Sequence, residues 1–156
     1  MAKMAFMVRY RSHFKGATMA RIFLVAIWLL LAVPVVAMER TLYDELGQEQ
    51  GISQLMEAFI LEIAEDDRVI HHFENVDIDR FHRMLSEHIC ELSGGPCKYS
   101  GESMVTVHTG MNISRAEFNA VVENLMTAMD QQQLAVSTQN RLLAILASFH
   151  KEVIYQ

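Results

Sequence analysis

The segment from Tyr99 to Phe118 reads Tyr-Ser-Gly-Glu-Ser-Met-Val-Thr-Val-His-Thr-Gly-Met-Asn-Ile-Ser-Arg-Ala-Glu-Phe. Its spacing predicts a short helix that starts near Glu102, carries Met104 and His108 one turn apart on one face, and stops at Gly110. Glycine suits a left-handed helix end. Ser114 and Glu117 then make a Ser-x-x-Glu capping box that opens a second helix. His108 is left at the end of a stub, flanked by Met104, Met111, Ile113 and Phe118. An imidazole in an apolar surround is what an axial haem ligand requires: one nitrogen for iron and a dry wall for the porphyrin. A hydrogen-bonded core histidine is the commoner use of such a residue, and the spacing alone does not overrule it.

Working outward, the first part of the chain reads as a targeting segment. Lys3, Arg9, Arg11, Lys15 and Arg21 precede an apolar run from Ile22 to Val33. Pro34 follows, and Val35-Val36-Ala37 offers the small residues of a cleavage site. Residues 1–37 are therefore expected to be a secretion signal. A start at Met19 would make it more compact, and an uncleaved membrane anchor is the alternative reading. Residues 38–156 form the expected domain.

Charge supports this division. All 19 acidic residues lie after Met38 together with only eight of the 13 basic ones. A domain this acidic is a poor partner for nucleic acid, whose affinity comes from phosphate neutralisation. It is equally unsuited to an anionic membrane surface. Export, to the periplasm of a bacterium, is the expected location. Cys90 and Cys97, the two cysteines, flank a Gly94-Gly95-Pro96 reversal; in an oxidising compartment they form either a disulfide or two separate thiols.

The remaining segments all read as helices. Thr41-Leu-Tyr-Asp-Glu opens a capped short helix ending at Gly47. Ile52, Leu55, Met56, Phe59, Ile60 and Ile63 fall at helical spacing. Asp77 is an N-cap candidate for a helix with a stripe of Ile78, Phe81, Leu85, His88, Ile89 and Leu92. Two long amphipathic helices follow the histidine stub. One uses Phe118, Val121, Val122, Leu125 and Met129; the other runs from Ser137-Thr138 through Leu142, Leu146 and Phe149 to Val153. No stretch alternates with period two, so the fold class is all-α. There is no Cys-x-x-Cys-His for covalent haem attachment. Serine or cysteine triads and paired carboxylates are also missing, so no catalytic residue is assigned.

Four motifs in order and spacing give this chain its resemblance to the truncated haemoglobins, the two-over-two globins, and to their group I branch. They are Leu42-Tyr43-x-x-Leu46-Gly47 followed by Gly51-Ile52, Asp66-x-Arg68-x-x-x-x-Phe73, Gly94-Gly95-Pro96, and Tyr99-x-Gly101-x-x-Met104-x-x-x-His108-x-Gly110-Met111-x-Ile113. The resemblance spans Thr41 to Tyr155. It implies a two-over-two helical sandwich around haem b, with His108 as the proximal iron ligand and the sole metal ligand. It also implies that Phe73 packs on the porphyrin at the distal turn. By the same correspondence, Tyr99, Met104, Ile113 and Phe118 line the proximal wall, and Arg80 stands where a cation meets a haem propionate.

The distal side departs from the family pattern. Where relatives carry a Phe-Tyr pair, this chain has Phe59-Ile60, and positions that often hold glutamine are Phe81 and Leu85. The expected sixth-site neighbours Ile60, Phe81 and Leu85 cannot donate a hydrogen bond. Bound oxygen carries partial negative charge, and a hydrogen bond to such a group is worth about 1.5–3 kcal/mol, roughly ten- to a hundredfold in retention. Met84 shares this face, at a position where some relatives supply an internal sixth ligand, and His88 lies two turns beyond Phe81. His82, a quarter-turn off the face, is read as exposed. His71 and His72 are read as a solvated edge, because consecutive residues rarely converge on one ion. The Gly47-Gln48 corner also departs from the family's Gly-Gly.

The expectation is thus a haem-binding globin for a diatomic gas, oxygen or nitric oxide, rather than a dedicated enzyme. Nitric oxide dioxygenase- or peroxidase-like turnover would need electrons from an outside redox partner. The rival readings are an electron-transfer or haem-handling module with Met84 or His88 as sixth ligand, and a cofactor-free interaction bundle.

Overall fold

The computed structural model describes residues 39–156; the expected secretion signal lies outside the described residues. Among these residues all regular structure is helical. The helices are α1 (Leu42–Glu45), α2 (Gln48–Glu65), α3 (Ile78–Leu92), α4 (Met104–His108), α5 (Arg115–Gln131), α6 (Val136–Ala147) and α7 (His150–Val153), with a 3-10 turn at Ile70–Phe73 between α2 and α3. No helix of the described residues is long and apolar enough to cross a membrane.

Local chemistry sets most of these boundaries. Thr41 and Asp44 exchange capping hydrogen bonds at the start of α1. Gly47 and Gln48 both take positive φ, +82° and +59°, to turn the chain into α2. Gln48 thus adopts a backbone that the family's second glycine would adopt without strain; its side-chain Nε2 donates to Asp44 at 3.0 Å. Asp77 accepts from the backbone N–H of Arg80 and caps α3. Ser103 caps α4, so this helix begins at Met104, two residues later than expected. The Ser114–Glu117 capping box opens α5 as the sequence predicts.

Helix α2 is the hub. Its buried Ile52, Leu55, Met56, Phe59 and Ile63 pack against α3 on one side and α5 on the other. With α6 against α5, two helix pairs meet across α2 and α5, while α1 touches both α2 and α6. Leu125, Ala128, Met129 and Leu142 join this core, as do Leu42, Leu46, Val69, Ile89, Cys90 and Ala120. Fully burying one Leu or Met side chain contributes about 1.5–3 kcal/mol.

Three polar ties fix the frame. The Arg68 guanidinium grips Asp66 through Nε and Nη2 and reaches Glu123 of α5 through Nη1 at 2.7 Å. Asn124 donates to the same Asp66 at 2.9 Å. The turn after α2 is thereby pinned to α5. At the other end, Glu45 accepts from Thr138 and pairs with Arg141 of α6.

Several expectations are corrected. Ile78, placed on the buried stripe of α3, is 50% exposed. His82, read as exposed, is half-buried, its Nε2 2.9 Å from the Ser53 carbonyl. The last long helix does not run to Val153. Ser148 donates its hydroxyl to the Ile145 carbonyl at 2.6 Å, a local bond that competes with the helical ladder, and the chain restarts as α7.

Candidate haem site

The histidine expected to hold the iron is positioned by its own helix. His108 closes α4, and its Nδ1 lies 2.7 Å from the carbonyl oxygen of Met104. A carbonyl only accepts, so Nδ1 carries a proton, and in the neutral ring Nε2 keeps its lone pair. This is the tautomer of a metal-ligating histidine, with the outward nitrogen basic and the ring orientation fixed. After α4 the chain turns through Gly110 at φ +86° and Asn112 at φ +50°. The backbone N–H groups of Gly110 and Asn112 donate to Gln156, and Tyr155 N–H donates to the Ile113 carbonyl. The end of the chain thus buttresses the segment just beyond His108, and α7 packs on α4.

A second arrangement ties the chain ahead of α4 to α3. Cys90 of α3 and Cys97 are disulfide-bonded, which realises one of the two sequence readings. The bridge returns the chain along α3: Tyr99 N–H donates to Glu91, and Ser100 donates to Glu87 from both its backbone and its hydroxyl, the latter at 2.7 Å. These bonds hold the Glu87 carboxyl below its usual range. The Ser100 hydroxyl also stands 3.9 Å from Met84 Sδ; its one proton goes to the much closer carboxylate. A side chain at Gly101 would overlap the Tyr99 ring, so glycine there lets Tyr99 fold back over the chain.

Tyr99 stacks on His88 of α3, ring centroids 4.6 Å apart, and Phe149 also meets His88 edge-on at 5.5 Å. Burial lowers the His88 pKa from its usual 6.5 and so favours the neutral ring, partly opposed by the Glu91 charge. Burial also pushes the Tyr99 phenol upward, against the nearby Arg80 charge.

The expected site residues fall into three groups. Phe59 and Ile113 are buried, each 7% exposed. Ile60, Phe73, Phe81, Met84, Leu85, Tyr99, Met104, His108 and Phe118 are half-buried, and Arg80 is exposed. Phe73 and Phe81 approach each other at 5.3 Å, joining the distal turn to α3. Phe118 meets His150 edge-on at 4.7 Å. Phe149 and His150 were absent from the sequence-derived site. Phe149 could have been found from its place on the last apolar stripe, whereas His150 carries no such signal.

These residues fit a haem: a helix-tethered histidine with a second ring nitrogen to offer, and half-buried apolar and aromatic side chains at the expected wall positions. The comparisons with known proteins agree. A family profile described as bacterial-like globin matches residues 41–155. The chain is 28% identical over 115 residues to a group 1 truncated hemoglobin of Tetrahymena pyriformis, covering 74% of this chain and 95% of that one. To the group 1 truncated hemoglobin of Tetrahymena thermophila it is 31% identical over 99 residues, 64% of this chain and 80% of the other. The crystal structure of the T. pyriformis truncated hemoglobin in its Fe(III) form superposes with a TM-score of 0.73 at 27% identity, over 75% of this chain and 100% of that one. A group II truncated hemoglobin from Bacillus anthracis shares the fold, with a TM-score of 0.69 at 20% identity, over 76% and 94% of the two chains.

Proposed function

This chain belongs to the bacterial-like globin family, and from that membership we propose that it is a haem-b protein that reversibly binds oxygen or nitric oxide in an apolar distal pocket. The observation that carries the reading is the His108 Nδ1 hydrogen bond to Met104, which leaves Nε2 as the one nitrogen offered to iron. His108 would hold the haem, which would supply an iron able to take a diatomic gas.

The chain's own residues do the rest. His108 holds the group and keeps its proton on the far nitrogen. Tyr99, Met104, Ile113 and Phe118 supply proximal apolar surface, and Phe73 covers the distal turn. Arg80, exposed at the start of α3, offers a guanidinium to a carboxylate at the pocket edge. Ile60, Phe81 and Leu85 exclude water and donate no hydrogen bond. A gas that accumulates negative charge is therefore held less firmly than in a pocket with a tyrosine hydroxyl, by roughly ten- to a hundredfold. Stopped-flow oxygen release from the haem-loaded protein tests this. Release from wild type exceeds that from Ile60→Tyr by about tenfold or more; equal rates contradict the apolar pocket.

A second reading, electron transfer with His88 or Met84 as sixth ligand, draws support from the neutral imidazole of His88. A low-spin, six-coordinate ferrous spectrum without added ligand selects it. Export remains part of the proposal. It rests on residues 1–37 and is supported by the Cys90–Cys97 bridge, since such bonds persist in oxidising compartments. Cell fractionation with N-terminal sequencing of the mature chain tests it.

A further inference from the structure

Among the described residues one group of metal-ligating side chains outside the haem site converges: His71, His72 and Glu117. The sequence reading made the two histidines a solvated edge; His71 is exposed as read, whereas His72 is largely covered. The 3-10 turn at Ile70–Phe73 sets the rings 4.0 Å apart with a 39° tilt, and both reach the same carboxylate. Glu117 Oε1 lies 3.3 Å from His71 Nε2 and 3.1 Å from His72 Nε2.

The carboxylate is aimed by its other oxygen. Oε2 of Glu117 accepts from the Ser114 backbone N–H at 2.8 Å, so the capping box spends one oxygen on the helix start and leaves Oε1 to the imidazoles. Hydrogen bonds from Ser114 hold the Glu117 pKa at about 2, so this oxygen is anionic near neutrality. Neighbouring ligand atoms of a tetrahedral zinc site, with bonds of about 2.0–2.2 Å, stand roughly 3.3 Å apart. The two separations from Glu117 are close to that length, and the three ligand atoms lie within 4.8 Å of one another. His72 is largely covered, with 12% side-chain exposure, while His71 at 51% leaves the cluster open to solvent.

We infer that His71 Nε2, His72 Nε2 and Glu117 Oε1 form a three-ligand site for a borderline divalent cation of the Zn2+ class, with the fourth position taken by water. Two nitrogens and one carboxylate oxygen are the donors such an ion accepts. None of the three residues belongs to the expected haem contacts. The site nonetheless joins two parts of that pocket, since His72 precedes Phe73 on the distal turn and Glu117 precedes Phe118 on α5. A bound ion would clip the distal turn to the first turn of α5.

The test is Zn2+ titration of the full chain with haem added, so that His108 is engaged, read by calorimetry and by thermal unfolding. Wild type is expected to bind one equivalent saturably in the micromolar range and to melt at higher temperature with the metal than without. His71→Ala, which removes a half-exposed ring and leaves the core intact, weakens binding by at least about tenfold, the loss that even an outer-shell partner costs. His72→Ala does the same. Glu117→Gln also weakens binding, although its amide oxygen keeps the cap. His82→Ala, which removes an imidazole that contacts Ser53 instead of Glu117, leaves binding unchanged. Absence of saturable binding in wild type overturns the site and leaves an imidazole–carboxylate pair. Full affinity in a His71→Ala/His72→Ala double variant overturns it equally.

Discussion

The imidazole of His108 donates from Nδ1 to the carbonyl of Met104, one turn earlier on the same five-residue helix, at 2.7 Å. Every residue type at position 104 would offer the same backbone carbonyl, so the tautomer is set by backbone geometry rather than by a partner side chain. In the haem-free protein, nitrogen-15 NMR of His108 should show a protonated Nδ1 and a lone pair on Nε2. The opposite tautomer would remove the basis for iron ligation.

The disulfide carries a stability prediction. Cys90 and Cys97 are seven residues apart, and closing a loop of that size restricts the unfolded chain by about 2–3 kcal/mol. The double variant Cys90→Ser/Cys97→Ser should therefore lose about 2–3 kcal/mol in chemical denaturation, and reductant should do the same to wild type. Because the bridge leads directly into Tyr99, both should also loosen the Tyr99–His88 stack, seen as a change in tyrosine fluorescence. An unmoved denaturation midpoint would contradict the placement.

The polarity and order of the helices were legible because the signals are local. Thr41 and Asp44, Asp77, and Ser114 with Glu117 each act within one turn, and each caps the helix it announces. What the sequence misplaced depends on distant partners. His82 is covered only because the Ser53 carbonyl lies beside it, 29 residues earlier. His72 is covered where it faces Glu117, 45 residues later. Helical spacing put Ile78 on the apolar face of α3 but could not say how far along that face a neighbour extends. In the site, the motif around His108 specified the ligand's helix and its end. The packing of His88 against Tyr99 and Phe149 arises from the fold alone.

His88 should make stability fall on mild acidification. Burial lowers its native pKa below the 6.5 of an exposed imidazole, so the unfolded chain takes the proton first as pH drops. The folded state then loses stability progressively from about pH 6.5 down to the depressed native value. His88→Phe, which keeps an aromatic ring against Tyr99 and Phe149, should flatten that part of the curve. An identical acid slope in wild type and variant, measured by thermal unfolding across the window, would show that His88 titrates normally.

Haem titration into wild type and His108→Gly, followed through the Soret band and completed by adding free imidazole, tests the central claim most directly. Wild type should take up one equivalent, His108→Gly should bind at least about tenfold more weakly with an altered iron spectrum, and imidazole should restore the wild-type spectrum. A glycine variant whose iron spectrum already matches wild type before imidazole is added would contradict the account.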